Sequence, residues 1–424
     1  MFLPVAILAA IVILLFLNLH KCNYWAIRGV KHEKCYPLFG TIFRVITLQI
    51  CLSEYVAELY HKYLKENLVG FSICGMNALV VRDPELIKQV LTTDFQHFYL
   101  RALNPNKRVI EPMLKNLFFA DGDLWKLLRQ RMTPAFTSGK LKAMFPLIVE
   151  RTERLQRTVA AAAERGTEVD VRDLMARYTT EFIGACGFGI DTDSINDDTS
   201  IFRQLGKSIF NPTKKEFIIS ALKWVFPEKL KHFRYLPLHI EQTTLALVKG
   251  IMMKRNYMPS GRNDFIDLLL ELKQKGTIMD EVLMAAQVFV FFAAGFETSS
   301  SATSYTLHQL ALNPDKQTKC QQEIDNVLAR YDGKLCFDAV KEMKYLEMVC
   351  LRNAGVYVLV SVQGLHNDEQ YFEAPDQFRP ERFSEGACIP KHVYLPFGEG
   401  PRGVYKVVPR CKTSDTSLLN LGLI

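Results

Sequence analysis

Apolar residues crowd the start of the chain. Met1 to Leu19 reads MFLPVAILAAIVILLFLNL, with no charge before Lys21. At about 1.5 Å per residue in a helix, such a run just crosses a hydrocarbon core of about 30 Å. A cleaved signal peptide is the alternative, but no basic residue precedes the run and no small-x-small signature closes it. Lys21, Arg28, Lys31 and Lys34 follow instead. The pattern therefore predicts a retained anchor over residues 1–20, with a short luminal N-terminus and the rest of the chain in the cytosol. No later stretch reads as long and apolar enough to span.

After the anchor, helical periodicity dominates. Gly70 to Arg82 (GFSICGMNALVVR) predicts a strand pair turning at Gly75-Met76-Asn77. Asp83-Pro84 opens a helix through Leu91, with proline at the first helical position. Thr277-x-x-Asp280 resembles a capping box, ahead of a helix running to Leu312, about 50 Å long. Asn313-Pro314 then starts another. The segment Val282 to Phe296 carries no charge, which predicts that water touches none of its faces. No internal repeat or low-complexity linker interrupts the chain. The expectation is one large, mainly α domain with small β-sheets (α+β), built around a buried central helix.

Two helical segments hold groups with chemistry. In the first, Ala293-Ala294-Gly295-Phe296-Glu297-Thr298 is followed by Ser299, Ser300 and Ser301. A mid-helix glycine costs about 1 kcal/mol against alanine, and a buried carboxylate costs more. Small side chains beside an acid-hydroxyl pair leave room for a ligand. Thr298 can hydrogen-bond the Ala294 carbonyl one turn back, and Glu297 could feed protons inward. Equally, the helix simply reaches the surface at Glu297. In the second, Asp121 begins a helix to about Phe136 that sets Trp125 and Arg129 one turn apart. That pair can hold a carboxylate of a bound group, or it is an arginine packed along an aromatic ring.

Composition excludes more than it selects. Over 424 residues, 49% hydrophobic, 23% charged and 11% aromatic content rules out disorder, collagen and coiled coil. A net charge of +7 is too dilute to argue for nucleic acid. Arg131, Lys140 and Lys142 could receive an acidic partner or form a solvated face. The ten cysteines contain no C-x-x-C pair, so no zinc site or disulfide framework is read, and reduced thiols are expected.

Taken together, the segments resemble the cytochrome P-450 superfamily of haem-thiolate monooxygenases, in particular its insect, microsomal, xenobiotic-metabolising branch. The resemblance is carried by the anchor, Tyr36-Pro37-Leu38-Phe39-Gly40, the Trp125/Arg129 helix and Thr133-Pro134-Ala135-Phe136. It continues through Ala294-Gly295-Phe296-Glu297-Thr298, Phe378-Arg379-Pro380-Glu381-Arg382-Phe383 and Tyr394-Leu395-Pro396-Phe397-Gly398-Glu399-Gly400-Pro401-Arg402. It implies that Trp125 and Arg129 hold a haem propionate and that Arg402 approaches the haem. By the same resemblance Ala294, Gly295, Glu297 and Thr298 form an oxygen-activation groove. It implies insertion of one atom of O₂ into a small apolar substrate, with electrons from NADPH through a flavoprotein, the NADPH–cytochrome reductase. It further implies a domain on the cytosolic side of the endoplasmic reticulum membrane. Phe95 to Pro112 and Ile209 to Pro237 fall where the family varies and sets specificity.

Three departures qualify the resemblance. The pattern F-x-x-G-x-R-x-C-x-G begins at Phe397, Gly400 and Arg402, but Val404 stands at the cysteine and Lys406 at the following glycine. Valine has no lone pair for iron, and the thiolate is what drives O–O cleavage; Cys411 and His392 are the substitutes to consider. The E-x-x-R motif is missing: Lys344 to Val349 starts the helix that should carry it, and the chain then jumps through residues 350–357, as if a few dozen residues were lost. That loss leaves Arg382 without its family partners, and because a buried unpaired guanidinium is costly the region is expected to rearrange or loosen. Residues 403–424 are an unrelated tail. The expectation is a monooxygenase by family whose own chain is inactive. A non-enzymatic truncated or misspliced product and a membrane-anchored binder of apolar ligands are the alternatives.

Overall fold

The computed structural model describes residues 23–36, 40–73, 76–101, 103–104, 106, 108–190, 195, 200–211, 213–276, 279–353, 360–384, 389–396 and 398–402. The expected anchor, the residue-350 junction from 354 to 359, Phe397, Val404, Lys406 and Cys411 lie outside them. The chain divides into two compact units. One comprises Met1–Tyr99, Gly355–Gln377 and Gly386–Val404; the other Leu100–Ala354, Phe378–Glu385 and Tyr405–Ile424.

In the first unit, β1 (Leu68–Ile73) pairs antiparallel with β2 (Met76–Val81). The turn is tighter than the sequence suggests: Met76 and Asn77 are already in the ladder, opposite Ile73 and Ser72. The Leu52–Lys62 helix starts at a capping box of Cys51 and Glu54. It buries Tyr55, Val56, Leu59 and Tyr60, a spacing that lays one helical face on the hairpin. Val69, Phe71 and Val80 meet that face, and Val360, Leu365, Phe372, Val393 and Leu395 complete the core. Asp83 caps the Pro84–Lys88 helix by accepting from Glu85 and Leu86 N–H groups, and a π turn carries the helix on to Thr93.

The second unit is helical. At its centre the Glu281–Leu312 helix packs chiefly on the Val171–Ile183 helix. Asp280 caps it by accepting from Leu283 N–H, and Thr277 lies outside the described residues. By length and composition this helix could cross a membrane, contrary to the sequence expectation that only the anchor could. Its buried Met284, Ala285, Val288, Phe289, Phe292 and Phe296 instead make it a core helix. Stacked rings surround it: Phe291 lies 4.3 Å from Phe265 and Phe292 5.9 Å from Phe296, centroid to centroid.

Reduced thiols are found at Cys51, Cys186, Cys320 and Cys336, whereas Cys35 is disulfide-bonded. Burial pushes the Cys186 thiol up to about 12, so it is inert.

Candidate functional site

The central helix is not covered all round. Ala294 and Thr298, one turn apart, are exposed, while Phe292, Phe296 and Ser300 beside them are buried. An uncharged sequence thus misleads about its faces: apolar composition sets that a helix can be buried, but its neighbours decide where. The Thr298 hydroxyl donates to the Ala294 carbonyl, the bond its spacing allows. Glu297 is half-buried and accepts from the Ser301 hydroxyl at 3.2 Å.

Gly295 faces the other way. A Cβ there would lie 2.3 Å from Cδ1 of Ile183, so the missing side chain lets the Val171–Ile183 helix approach. Thr179 of that helix reinforces the contact, donating to the Phe296 carbonyl at 3.1 Å. The uncovered stripe therefore contains Ala294 and Thr298 but not Gly295.

On the Gly122–Met132 helix Trp125 is buried and Arg129 half-buried. Sequence reasoning missed a neighbouring cation, Arg101. Its backbone N–H donates to Asp121 at 2.9 Å, and its guanidinium lies 5.0 Å from the Phe118 ring centre. Burial lowers its pKa; Asp121 opposes the shift and the positive charge of Arg129 adds to it. Two guanidiniums close enough to repel, near an indole donor, suit carboxylate groups of a ligand. Nothing in local periodicity links Arg101 to Arg129; only the loop's return does. Of the basic residues proposed for a partner, Lys140 holds Glu271 at 2.9 Å and Lys142 holds Asp338, so two of the three are engaged.

Arg402 belongs to the first unit. Its Nε donates to the Tyr99 carbonyl at 2.7 Å. Gly400 sits at φ +72°, and a Cβ there would lie 1.8 Å from the Leu91 carbonyl oxygen, so only glycine fits. The run from Gly398 to Arg402 thus lies against the π turn at Gly400 and is held on Tyr99 through Arg402, two residues short of Val404.

Arg382, expected to lose its family partners, is not enclosed in the core. Arg382 is half-exposed and its Nε donates to the Arg379 carbonyl at 3.2 Å. The neighbouring Glu381 fastens the turn, accepting from Lys316 and Lys319 at 3.2 Å each and from the Tyr345 hydroxyl at 3.1 Å. Burial alone would raise its pKa, but its own backbone N–H, both lysines and Tyr345 override that and hold the carboxyl at about 2. A folded-state pKa below the ordinary value contributes stability that is present at neutral pH and lost as pH falls from about 4.5 toward 2. Because the side chain is 40% exposed, solvent screening limits the effect. Glu381→Gln should cost no more than about 1 kcal/mol at pH 7. In urea titrations at a series of pH values, the gap from the unmodified chain should close below about pH 4.

A groove of ≈700 Å³ lies elsewhere, along Arg154, Arg157, Ala161 and Arg165. It shares no residue with the Ala294–Thr298 face, and the geometry around that face is the more chemically specific.

Comparison with known proteins agrees with these motifs. The Cytochrome P450 family model matches residues 31–351 and 353–403. The chain is 35% identical to "Cytochrome P450 6a2" of Drosophila melanogaster over 451 residues, covering 95% of this chain and 89% of that one. It is 35% identical to "Cytochrome P450 6B6" of Helicoverpa armigera, over 94% and 87% of the two chains.

Proposed function

This chain belongs to the cytochrome P450 family of monooxygenases, and on that premise we propose that it keeps the family's ligand-binding helices without the thiolate that oxygen insertion needs. The family's cofactor is haem. Arg101, Arg129 and Trp125 offer donors suited to its carboxylates, but the donor set fails at the axial position. The turn built by Gly400 and Arg402 leads to Val404, whose isopropyl group has no lone pair. The residues present therefore do not fit a thiolate-ligated haem. That substitution, behind an otherwise intact pattern, carries the reading.

Other features support the same conclusion. The family match breaks at residue 352 and stops at 403, the two places where the motifs fail. The aligned length of 451 exceeds the 424 residues of this chain, so the fly protein has positions with no counterpart here. We read these as an internal loss near 350–357 and a replaced tail after a single P450-like domain over 21–402. Family kinship alone does not supply a missing ligand. By family, the substrate is a small apolar molecule, the electron donor NADPH through a flavoprotein reductase, and the location the cytosolic face of the endoplasmic reticulum membrane.

A second reading is a membrane-anchored binder of small apolar molecules. The uncovered Ala294–Thr298 face on an otherwise apolar helix favours it. The test is the absorption spectrum of the full chain supplied with haem, reduced and exposed to carbon monoxide. An unshifted Soret band, or no bound haem, is expected. A strongly red-shifted band shows thiolate ligation and overturns the proposal.

A further inference from the structure

The long helix over Ser138–Glu164 sets Arg154, Thr158, Ala161 and the C-cap residue Arg165 at steps of four, three and four residues, so they share one face. Arg157 stands beside Thr158 on the same stripe. With Thr167 and Ile195 this face lines the groove of ≈700 Å³ described above. That is room for a ligand of several rings, since small-molecule pockets commonly measure about 300–1,000 Å³. No acidic side chain lines it among the described residues.

The three arginines are not equivalent. Arg154 donates from Nη1 to Glu181 at 3.0 Å and from Nη2 to Glu150 at 3.1 Å. Glu181 is fully buried on the Val171–Ile183 helix, so Arg154 is held as a wall of the groove with its charge offset. Arg157 and Arg165 are exposed, and neither forms an ion pair among the described residues. The positive field of the groove therefore comes from these two, whose backbones lie about 12 Å apart along the helix.

A bare helix C-terminus would repel an anion here, but this one is closed. Gly166, at φ +63°, donates its N–H to the Ala163 carbonyl at 3.0 Å, and Thr167 N–H donates to the Ala162 carbonyl at 3.0 Å. These two bonds satisfy the terminal carbonyls and turn Thr167 into the groove's end. The Thr167 hydroxyl donates to the Ala162 carbonyl at 3.1 Å and the Thr158 hydroxyl to the Arg154 carbonyl at 3.2 Å. Each threonine thus turns its proton to the backbone and offers lone pairs to an N–H or O–H donor. Between the cations the floor is methyl groups of Ala161 and Ala162 with buried Ile195. A small inorganic ion reaches one guanidinium and leaves that floor wet, whereas a ring system bearing phosphates covers the floor and meets both.

We propose that this groove binds an organic phosphate of nucleotide size, with its rings on the alanine floor and its phosphates on Arg157 and Arg165. No residue of the central helix lines the groove, so the site requires neither haem nor the apolar-ligand reading.

The test titrates ATP, and separately inorganic triphosphate, into the full chain in detergent micelles at low salt without magnesium, followed by isothermal calorimetry. ATP should bind more tightly than triphosphate. Arg157→Ala and Arg165→Ala should each weaken ATP about tenfold, the loss of one charge-assisted contact. Both side chains are exposed, so the variants keep the fold. Arg131→Ala, at an exposed position on the Gly122–Met132 helix, should change the affinity less than about twofold. Ala161→Leu, which fills the floor, should weaken ATP at least about fivefold and leave triphosphate unaffected. No ATP binding up to about 1 mM, or a loss in R131A equal to that in R157A and R165A, overturns the site. Triphosphate bound as tightly as ATP, with A161L affecting neither, shows charge alone at work and overturns the organic phosphate.

Discussion

Val404→Cys, combined with Lys406→Gly, should introduce a red-shifted Soret band in the reduced, carbon monoxide-treated protein where the unmodified chain has none. The change is all or none because the missing property is chemical rather than steric: an isopropyl group has no electron pair to share with iron, and a thiolate has one. The preceding turn is in place for it. Gly400 can approach Leu91 only as glycine, and Arg402 is held on the Tyr99 carbonyl, so the family spacing from Phe397 is kept up to the position that fails. Cys411→Ala in the unmodified chain separates the alternatives. If the unmodified chain already shows the band and C411A loses it, Cys411 is the ligand and the inactive reading is wrong. If V404C/K406G stays unshifted, a feature other than the axial residue bars haem, and the proposed internal loss near residue 350 is the first to test.

The second large effect is on stability. Arg255→Ala should cost about 3–5 kcal/mol, read as a lowered urea midpoint, because it strands two buried carboxylates. Arg255 forks onto Asp264 at 2.8 and 2.7 Å and reaches Asp267 at 2.5 Å. Asp264 is fully buried and Asp267 nearly so. Each acid also has a local task. Asp264 caps the Phe265–Gln274 helix through the Asp267 N–H, and Asp267 accepts from the backbone and hydroxyl of Ser260. Burial would raise the pKa of Asp267, but Ser260 and Arg255 outweigh it and lower it. The contribution is therefore present at neutral pH and lost on acidification below the ordinary carboxylate range. Arg255→Lys keeps the charge but not the planar fork and should fall between the two. A loss under 1 kcal/mol in R255A would mean that water or another cation replaces the guanidinium.

Local geometry explains what was readable in advance. The Asp83-Pro84 start, the one-turn separation of Trp125 and Arg129 and the hydrogen bond from Thr298 to Ala294 all follow from helical spacing within a few residues. The order of motifs from Tyr36 to Arg402 identifies the family, and Val404 marks where it fails, because ligation depends on residue type at a counted position. The covered and open faces of the central helix were not readable. Gly295 and Ala294 are adjacent small residues, yet Ile183 takes the space beside one while the other is exposed among the described residues. The same holds for Arg101 beside Arg129, Glu381 in place of Arg382, and Arg154 on Glu181. Each joins residues far apart in the chain, with no period connecting them. Sequence by itself determined several helix starts, the family they belong to and that a valine, Val404, stands at the family's cysteine position. Tertiary packing alone decided which side chains face a ligand and which charges hold the turns, because burial and pairing depend on neighbours that chain order does not specify.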